Sequence, residues 1–281
     1  MVNENEQKKF MIKITEQPSQ YRHLEKMTVE QITRAINTED KSVALTIEKS
    51  LPELNKLIYT IVAKLEKGGR MFYVGAGSGG RLSVLDTIEL PTTYGIDKGV
   101  VEAILAGGND RLIEAREEKE DDIEEGWNRL QQHQVSTKDI VIGISASGTT
   151  PFVLASLIKC RAHGVTTGCI VSNPGSPIAV NADYPVEIIT GPEFLTGSTR
   201  MKCGTAQKMI FDIISTTTMI QLGRVEDNRM VNVVLINEKI IDRSVRTLIE
   251  KSELNNYDEA RSLLLEKGSV KKAMDYLMQD K

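Results

Sequence analysis

Five short β-rich runs constrain this chain more than any other feature: Met71 to Val74, Val100 to Leu105, Ile140 to Ile144, Thr166 to Val171 and Pro185 to Ile189, each separated from the next by enough residues for a helix. Near-continuous apolar strands that alternate with helix-length segments predict a parallel sheet covered on both faces, a three-layer α/β/α fold. Two of the strands run directly into glycine- and hydroxyl-rich turns, Gly75-Ala-Gly-Ser-Gly-Gly-Arg81 and Ser145-Ala-Ser-Gly-Thr-Thr150. In an open parallel sheet, ligands sit beyond the carboxyl ends of the strands where strand order reverses, and both turns fall at that edge. Glycine lets backbone N–H groups approach an anion, hydroxyls add donors, and a helix starting just after the turn favours negative charge. The pattern predicts a phosphate site.

The flanking regions read differently. Residues 1 to about 22 are polar and carry Pro18, so they are expected to order only by docking on something else. Thr28-Val-Glu-Gln31 matches a capping box, and Ile32, Ile36, Val43, Ile47, Leu51, Leu54, Leu57 and Val62 recur at helical spacing up to Lys67-Gly-Gly69. After the fifth strand, Gly191 to Lys202 leads into a helix expected from about Cys203 to Leu222 and brings hydroxyls, a carboxylate and two cations to the same sheet edge. Beyond Gly223 the pattern turns helical again, with Val233, Ile236, Ile240, Ile241, Val245 and Leu248 on one face and two short helices to follow. The expected organisation is an N-terminal arm with helices over 1–54, the sheet domain over 55–223 and a small helical bundle over 224–281.

Charge narrows the partners. Of 281 residues, 35 are Lys or Arg and 39 Asp or Glu, so nothing steers the chain toward nucleic acid or an anionic membrane, and a small molecule is the expected partner. Three cysteines, Cys160, Cys169 and Cys203, show neither pairing nor metal-ligand spacing with His23, His133 and His163. A reducing cytoplasm is expected, since no apolar run approaches the roughly 20 residues of a membrane span and the first residues lack an export signal.

Gly75-x-Gly77-x-x-Gly80 also fits a dinucleotide fingerprint, with Glu102 at about the right distance. Glu102, however, is followed by Ala-Ile-Leu-Ala and so belongs inside a strand rather than at its end, and the dinucleotide reading leaves Ser145 to Thr150 without a role. The four hydroxyls of Ser145, Ser147, Thr149 and Thr150 exceed what one helix cap uses, which favours phosphate contact. Ser78 fits either a cap or a ligand contact. The acids are less decided by composition. Glu89 lies late in the helix after the first loop, where Pro91 is expected to break it, and reads as a solvated surface acid. Glu120 stands in a charge run that fits an exposed face. Glu193 fits a structural acid and a substrate-hydroxyl acceptor equally. No histidine accompanies a serine nucleophile pattern, which disfavours a Ser-His-Asp hydrolase.

Taken together, these motifs resemble those of the N-acetylmuramic acid 6-phosphate etherases, members of the sugar isomerase (SIS) superfamily. The resemblance runs from Thr15-Glu-Gln17 to the C-terminal helices. It is carried by Gly75-Ala-Gly77 with Gly80-Arg81, Leu85-Asp86 with Glu89, Ala106-Gly-Gly108, Glu120-Asp-Asp122, Ser145 to Pro151, and Gly191 to Lys208. It implies a five-stranded SIS-type fold and hydrolysis of the ether joining D-lactate to carbon 3 of the sugar, by elimination and then water addition, during cell-wall recycling. It places the proton donor on Glu89 and its partner, the base, on Glu120. Substrate contacts are implied at Ser78, Gly79, Ser145, Ser147, Thr149, Thr150, Glu193, Ser198, Thr199 and Lys202. No metal or organic cofactor is implied. A donor must hold its proton near neutrality, and Ile88, Leu90 and Pro91 around Glu89 are expected to desolvate it. Two departures touch the site: Gly79 replaces the family's usual serine, and Glu89-Leu-Pro-Thr-Thr93 replaces Glu-Cys-Pro-Pro-Thr. Rival readings are a non-catalytic sugar-phosphate sensor resembling the glucokinase regulatory proteins, and an aldose-ketose phosphate isomerase. SIS domains commonly pair, so a homodimer with shared active sites is expected, with the apolar face of Leu45 to Val62 a candidate surface.

Overall fold

A computed structural model describes residues 13–112 and 117–279. The chain opens with α1 (Val29–Glu66), whose capping box forms as the sequence predicts: Gln31 N–H donates to Thr28 Oγ1 at 3.3 Å and Thr28 N–H to Gln31 Oε1 at 2.8 Å. There follow β1 (Met71–Gly75), α2 (Gly77–Tyr94), β2 (Val101–Leu105), α3 (Glu125–Gln132), β3 (Ile140–Ser145), α4 (Pro151–Ala162), β4 (Thr166–Val171), α5 (Pro177–Val180), β5 (Tyr184–Glu187) and α6 (Lys202–Gln221). A two-residue hairpin, β6 (Val225–Glu226) and β7 (Arg229–Met230), precedes α7 (Glu238–Lys251), α8 (Tyr257–Lys267) and α9 (Val270–Gln279).

The five long strands form one parallel sheet in the order β2-β1-β3-β4-β5. After β1 the chain moves outward to β2 and then returns to place β3 on the other side of β1. Strand order therefore reverses between β1 and β3, where Gly75 pairs with Ile144, and the crevice for a ligand opens there. Alternate residues of β1 serve opposite faces: Met71 and Tyr73 pack with α1, α2 and α6, whereas Phe72 and Val74 pack with α3, α4 and α5. Both layers are fully buried, as the apolar runs predict.

Helix α1 passes unbroken through residue 54, where the sequence suggests an edge, and Leu54 and Leu57 are wholly buried in the sheet domain's core. The face from Leu45 to Val62 is accordingly used by the chain itself. Ile47, Leu54, Leu57, Ile58 and Ile61 are buried, and Leu45 (62 % exposed) and Tyr59 (75 %) are its large apolar side chains left exposed, so most of the apolar surface of this face is covered within the chain.

Pro91 does not break α2. The helix continues to Tyr94 and ends at Gly95 (φ 61°), whose N–H donates to Pro91 O at 3.0 Å. A proline this close to the C-terminus removes one hydrogen bond and leaves most of the helix untouched. The tail forms its own small core of Val231, Ile241, Val245, Leu248, Ala260, Leu264 and Ala273, tied to α2 where Val234 N–H donates to Thr92 O. Among the described residues, no helix is long and apolar enough to cross a membrane.

Candidate active site

The first glycine turn is set by close packing. A Cβ on Gly75 would lie 2.9 Å from Gly80 Cα, so strand β1 and the first turn of α2 approach closely only because both residues are glycine. Gly77 adopts φ 55°, and its Cα faces the carboxylate of Glu120: a Cβ there would stand 3.3 Å from Glu120 Oε1. The first intrahelical bond of α2 is Gly80 N–H to Ala76 O, so the N–H groups of Gly77, Ser78 and Gly79 are those a helix start leaves for an anion.

The second turn carries a hydroxyl network. Ser145 Oγ lies 2.9 Å from Thr150 Oγ1 and 3.2 Å from Ser147 Oγ, and it accepts from Gly148 N–H at 3.0 Å. Thr149 Oγ1 donates to Ser147 Oγ at 3.1 Å. Gly148 has φ 70°, and a Cβ on it would strike Ser176 Oγ at 2.2 Å, so glycine is required on both counts. Pro151 opens α4 directly behind, where its missing N–H costs nothing.

Between the two turns lies a cleft of about 320 Å³. Ser78, Gly79, Glu120, Ser145, Ser147, Thr150 and Thr199 line it, and Thr149 adjoins through Ser147. Sequence reasoning did not single out Glu16, Arg81 and Gln207 as site residues, yet all three line the cleft. The available signal was their place within matching motifs: Glu16 in Thr15-Glu-Gln17, Arg81 after Gly80, and Gln207 in Cys203 to Lys208. Glu120 is half-buried in the turn Glu117–Asp121, and burial, followed by repulsion from Glu117 and Asp121, raises its pKa against the opposing pull of Arg81.

Four expected site residues lie outside the cleft. Glu193 is 1 % exposed, and its two oxygens accept from Lys202 N–H at 2.8 Å and Cys203 N–H at 3.0 Å, capping α6. This is the structural one of the two roles that the sequence leaves open for Glu193. Lys202 is 4 % exposed and its Nζ sits 2.6 Å from Glu39 Oε2, so its charge is paired within the fold and it does not line the cleft. Ser198 does not line the cleft either. Glu89 is exposed on α2, with Ile88 beside it 61 % exposed, so the neighbouring apolar residues do not desolvate it within one chain. At 1.5 Å per residue Glu89 lies about 12 Å along the α2 axis from Arg81 at the mouth of its own cleft. The two acids named by the resemblance are thus not brought together within a single chain.

One turn before Glu89, Asp86 is pushed up to about 7, chiefly by burial, with Asp212 and Glu89 adding repulsion against the Ser215 hydrogen bond and Lys208. Burial also pushes Cys160, Cys169 and Cys203 up to about 12, so none is a thiolate nucleophile near neutrality. Glu102 sits inside β2 with its carboxylate 2.9 Å from His133 Nδ1, away from the strand end that a dinucleotide ribose requires. Among the described residues no cluster of His, Cys, Asp and Glu has the geometry to hold a metal ion.

A five-stranded parallel sheet with a hydroxyl cradle at its switch point defines an SIS domain. The SIS domain profile matches residues 128–216, and that of the glucokinase regulatory protein N-terminal SIS domain matches residues 53–161. Solved structures of similar fold include phosphoheptose isomerases from Neisseria gonorrhoeae (TM-score 0.54, 13 % identity, 68 % of this chain and 98 % of that one) and Francisella tularensis (TM-score 0.51, 16 % identity, 71 % and 100 %). Much nearer in sequence are N-acetylmuramic acid 6-phosphate etherases from Bacteroides thetaiotaomicron (53 % identical over 94 % of this chain and 95 % of the relative) and Porphyromonas gingivalis (51 % over 95 % and 97 %). The chain belongs to the N-acetylmuramic acid 6-phosphate etherase family. Similarity of this degree over nearly the whole length favours the etherase reading over the non-catalytic regulator.

Proposed function

We propose that this chain is a carbon–oxygen lyase that cleaves the lactyl ether of N-acetylmuramic acid 6-phosphate, giving N-acetylglucosamine 6-phosphate and D-lactate, and that it works as a homodimer with shared sites. The carrying observation is the division of the two acids: Glu120 stands in the cleft beside the hydroxyl cradle, whereas Glu89 stands on an exposed α2 face. That face carries Leu85 (43 % exposed) and Ile88 one turn apart, which suits contact with a second copy. Glu89 from one copy then enters the other's cleft, and the desolvation a proton donor needs comes from the partner.

The chain's groups divide the work by position. Ser145, Ser147, Thr150 and the N–H groups at the start of α2 grip the 6-phosphate, so binding energy from a remote group orients the reacting carbons. Once the sugar ring is open, the aldehyde acidifies the carbon 2 proton and Glu120 removes it. Burial and the neighbouring acids strengthen Glu120 as a base by favouring its protonated form. Glu89 donates a proton to the departing lactyl oxygen, and the two exchange roles when water adds at carbon 3. A cytoplasmic setting accords with three free, buried thiols.

The test is direct. Purified protein incubated with N-acetylmuramic acid 6-phosphate should release D-lactate in equal amount to N-acetylglucosamine 6-phosphate. Binding of hexose 6-phosphates without lactate would refute the activity.

A further inference from the structure

The cleft presents an electrostatic imbalance. Its lining includes three carboxylates, those of Glu16, Glu117 and Glu120, and, among the described lining residues, one cation, Arg81, whose Nη2 is already 3.0 Å from Glu117 Oε1. A phosphate monoester adds about two negative charges. Hydroxyls and backbone N–H groups supply donors but no net charge to offset this. A further cation reaches the cradle from the N-terminal arm: Lys13 Nζ donates to Thr149 Oγ1 at 2.7 Å, and Thr149 in turn donates to Ser147. The ammonium therefore stands at the outer end of the same hydroxyl chain, with donors to spare for a phosphate oxygen.

The arm is held there by a buried clasp. Thr15, two residues on, is wholly buried: its N–H donates to Asn173 Oδ1 at 3.3 Å and its Oγ1 accepts from Asn173 Nδ2 at 3.0 Å. The same Asn173 amide donates to Ala146 O and Ser147 O, the backbone of the hydroxyl turn itself. Farther along, Ser19 Oγ donates to Phe194 O at 2.6 Å and Ser19 N–H to Thr196 Oγ1. From Lys13 on, the arm that the sequence marks as needing something to dock on thus docks on the cradle and on the segment after β5.

We propose that Lys13 is a phosphate-binding residue of this site, positioned over the Ser145–Thr150 turn by the Thr15–Asn173 clasp. The assignment rests on reading the cleft as a sugar-phosphate site. A lysine acts here as a point charge on a flexible stem, so it improves binding of any phosphosugar without distinguishing the sugar.

Lys13→Met and Lys13→Arg test it, with calorimetric titration of N-acetylglucosamine 6-phosphate at low and high salt and kinetics of lactate release. Lys13→Met should weaken phosphosugar binding about tenfold and flatten its salt dependence, and the loss should appear in KM rather than kcat. Lys13→Arg should restore binding to within about threefold of the parent, because the charge is kept. Parent-like affinity and salt dependence in Lys13→Met would overturn the assignment, as would a loss confined to kcat. The binding data judge Lys13 alone, whereas absence of lactate from the parent protein would count against the activity alone.

Discussion

Asp86→Asn removes a carboxyl whose burial penalises its ionised form. Asp86 Oδ1 accepts from Ser215 Oγ at 2.9 Å, while Oδ2 is buried without a hydrogen-bond partner among the described residues, as is the hydroxyl of Tyr73. Its pKa is raised from 3.8 to about 7, first by burial. Roughly three units at about 1.36 kcal/mol each set a ceiling near 4 kcal/mol, and partial exposure reduces the expected penalty to about 1–3 kcal/mol. The sign follows from proton counts. Below about pH 4 the folded and unfolded chains are both protonated and no penalty exists; between about 4 and 7 the folded chain keeps a proton the unfolded chain has lost, so stability falls as pH rises. Above about 7 the penalty is complete. Asparagine has none at any pH, so urea unfolding of parent and variant at matched protein concentration should show the variant's relative stability rising by about 1–3 kcal/mol between about pH 4 and pH 8.5. An offset between the two proteins that stays constant across that range would refute the reasoning.

The remaining predictions concern the cleft. Glu120→Gln should lower kcat for lactate release by about 10²- to 10⁴-fold while phosphosugar binding, read by calorimetry, persists. Gly148→Ala forces a Cβ onto Ser176, which caps α5 by accepting from Ala179 N–H, and imposes φ 70° on an L-residue, so about 2–4 kcal/mol of stability should be lost in urea. Gly79→Ser, which restores the residue the family usually carries, places a Cβ 2.9 Å from Gln207 Oε1 and from Ile144 Cγ2. The crowding should outweigh the gain in helix propensity and leave a net loss of about 1 kcal/mol with a raised KM.

The sheet was legible in the sequence because buried parallel strands are near-continuous apolar runs punctuated by glycine, a local signal. The hydroxyl turn was legible for the same reason: Ser145, Ser147, Thr149 and Thr150 lie within six residues. What depended on distant partners was not. The acid of Glu193 reads alike as cap or ligand until α6 is seen to begin at Lys202, and the Lys202 ammonium looks free until Glu39 arrives from α1. The periodicity of α1 announces a buried face without saying whether the chain itself or a second copy covers it, and here Leu54, Leu57 and Ile61 meet the chain's own sheet. The β6–β7 hairpin, two residues a strand, is too short to show any alternation. Pro91 shows a local rule yielding to position, since one lost bond near a helix end costs little against the packing of Leu90 and Tyr94. The pairing of Glu89 with Glu120 came from the family resemblance, because composition marked both as surface acids.

Subunit complementation tests the central claim, that the acids of one site come from two copies. Glu89→Gln and Glu120→Gln, each purified as an inactive protein, are dissociated together, reassociated and assayed for D-lactate. In a shared-site dimer, half the mixed population is heterodimer and half of its sites carry both native acids, so activity should return to about one quarter of the parent's. If both acids of a site came from the same chain, every site in the mixture would lack one of them. An inactive mixture whose heterodimers are verified by native mass spectrometry would contradict the account.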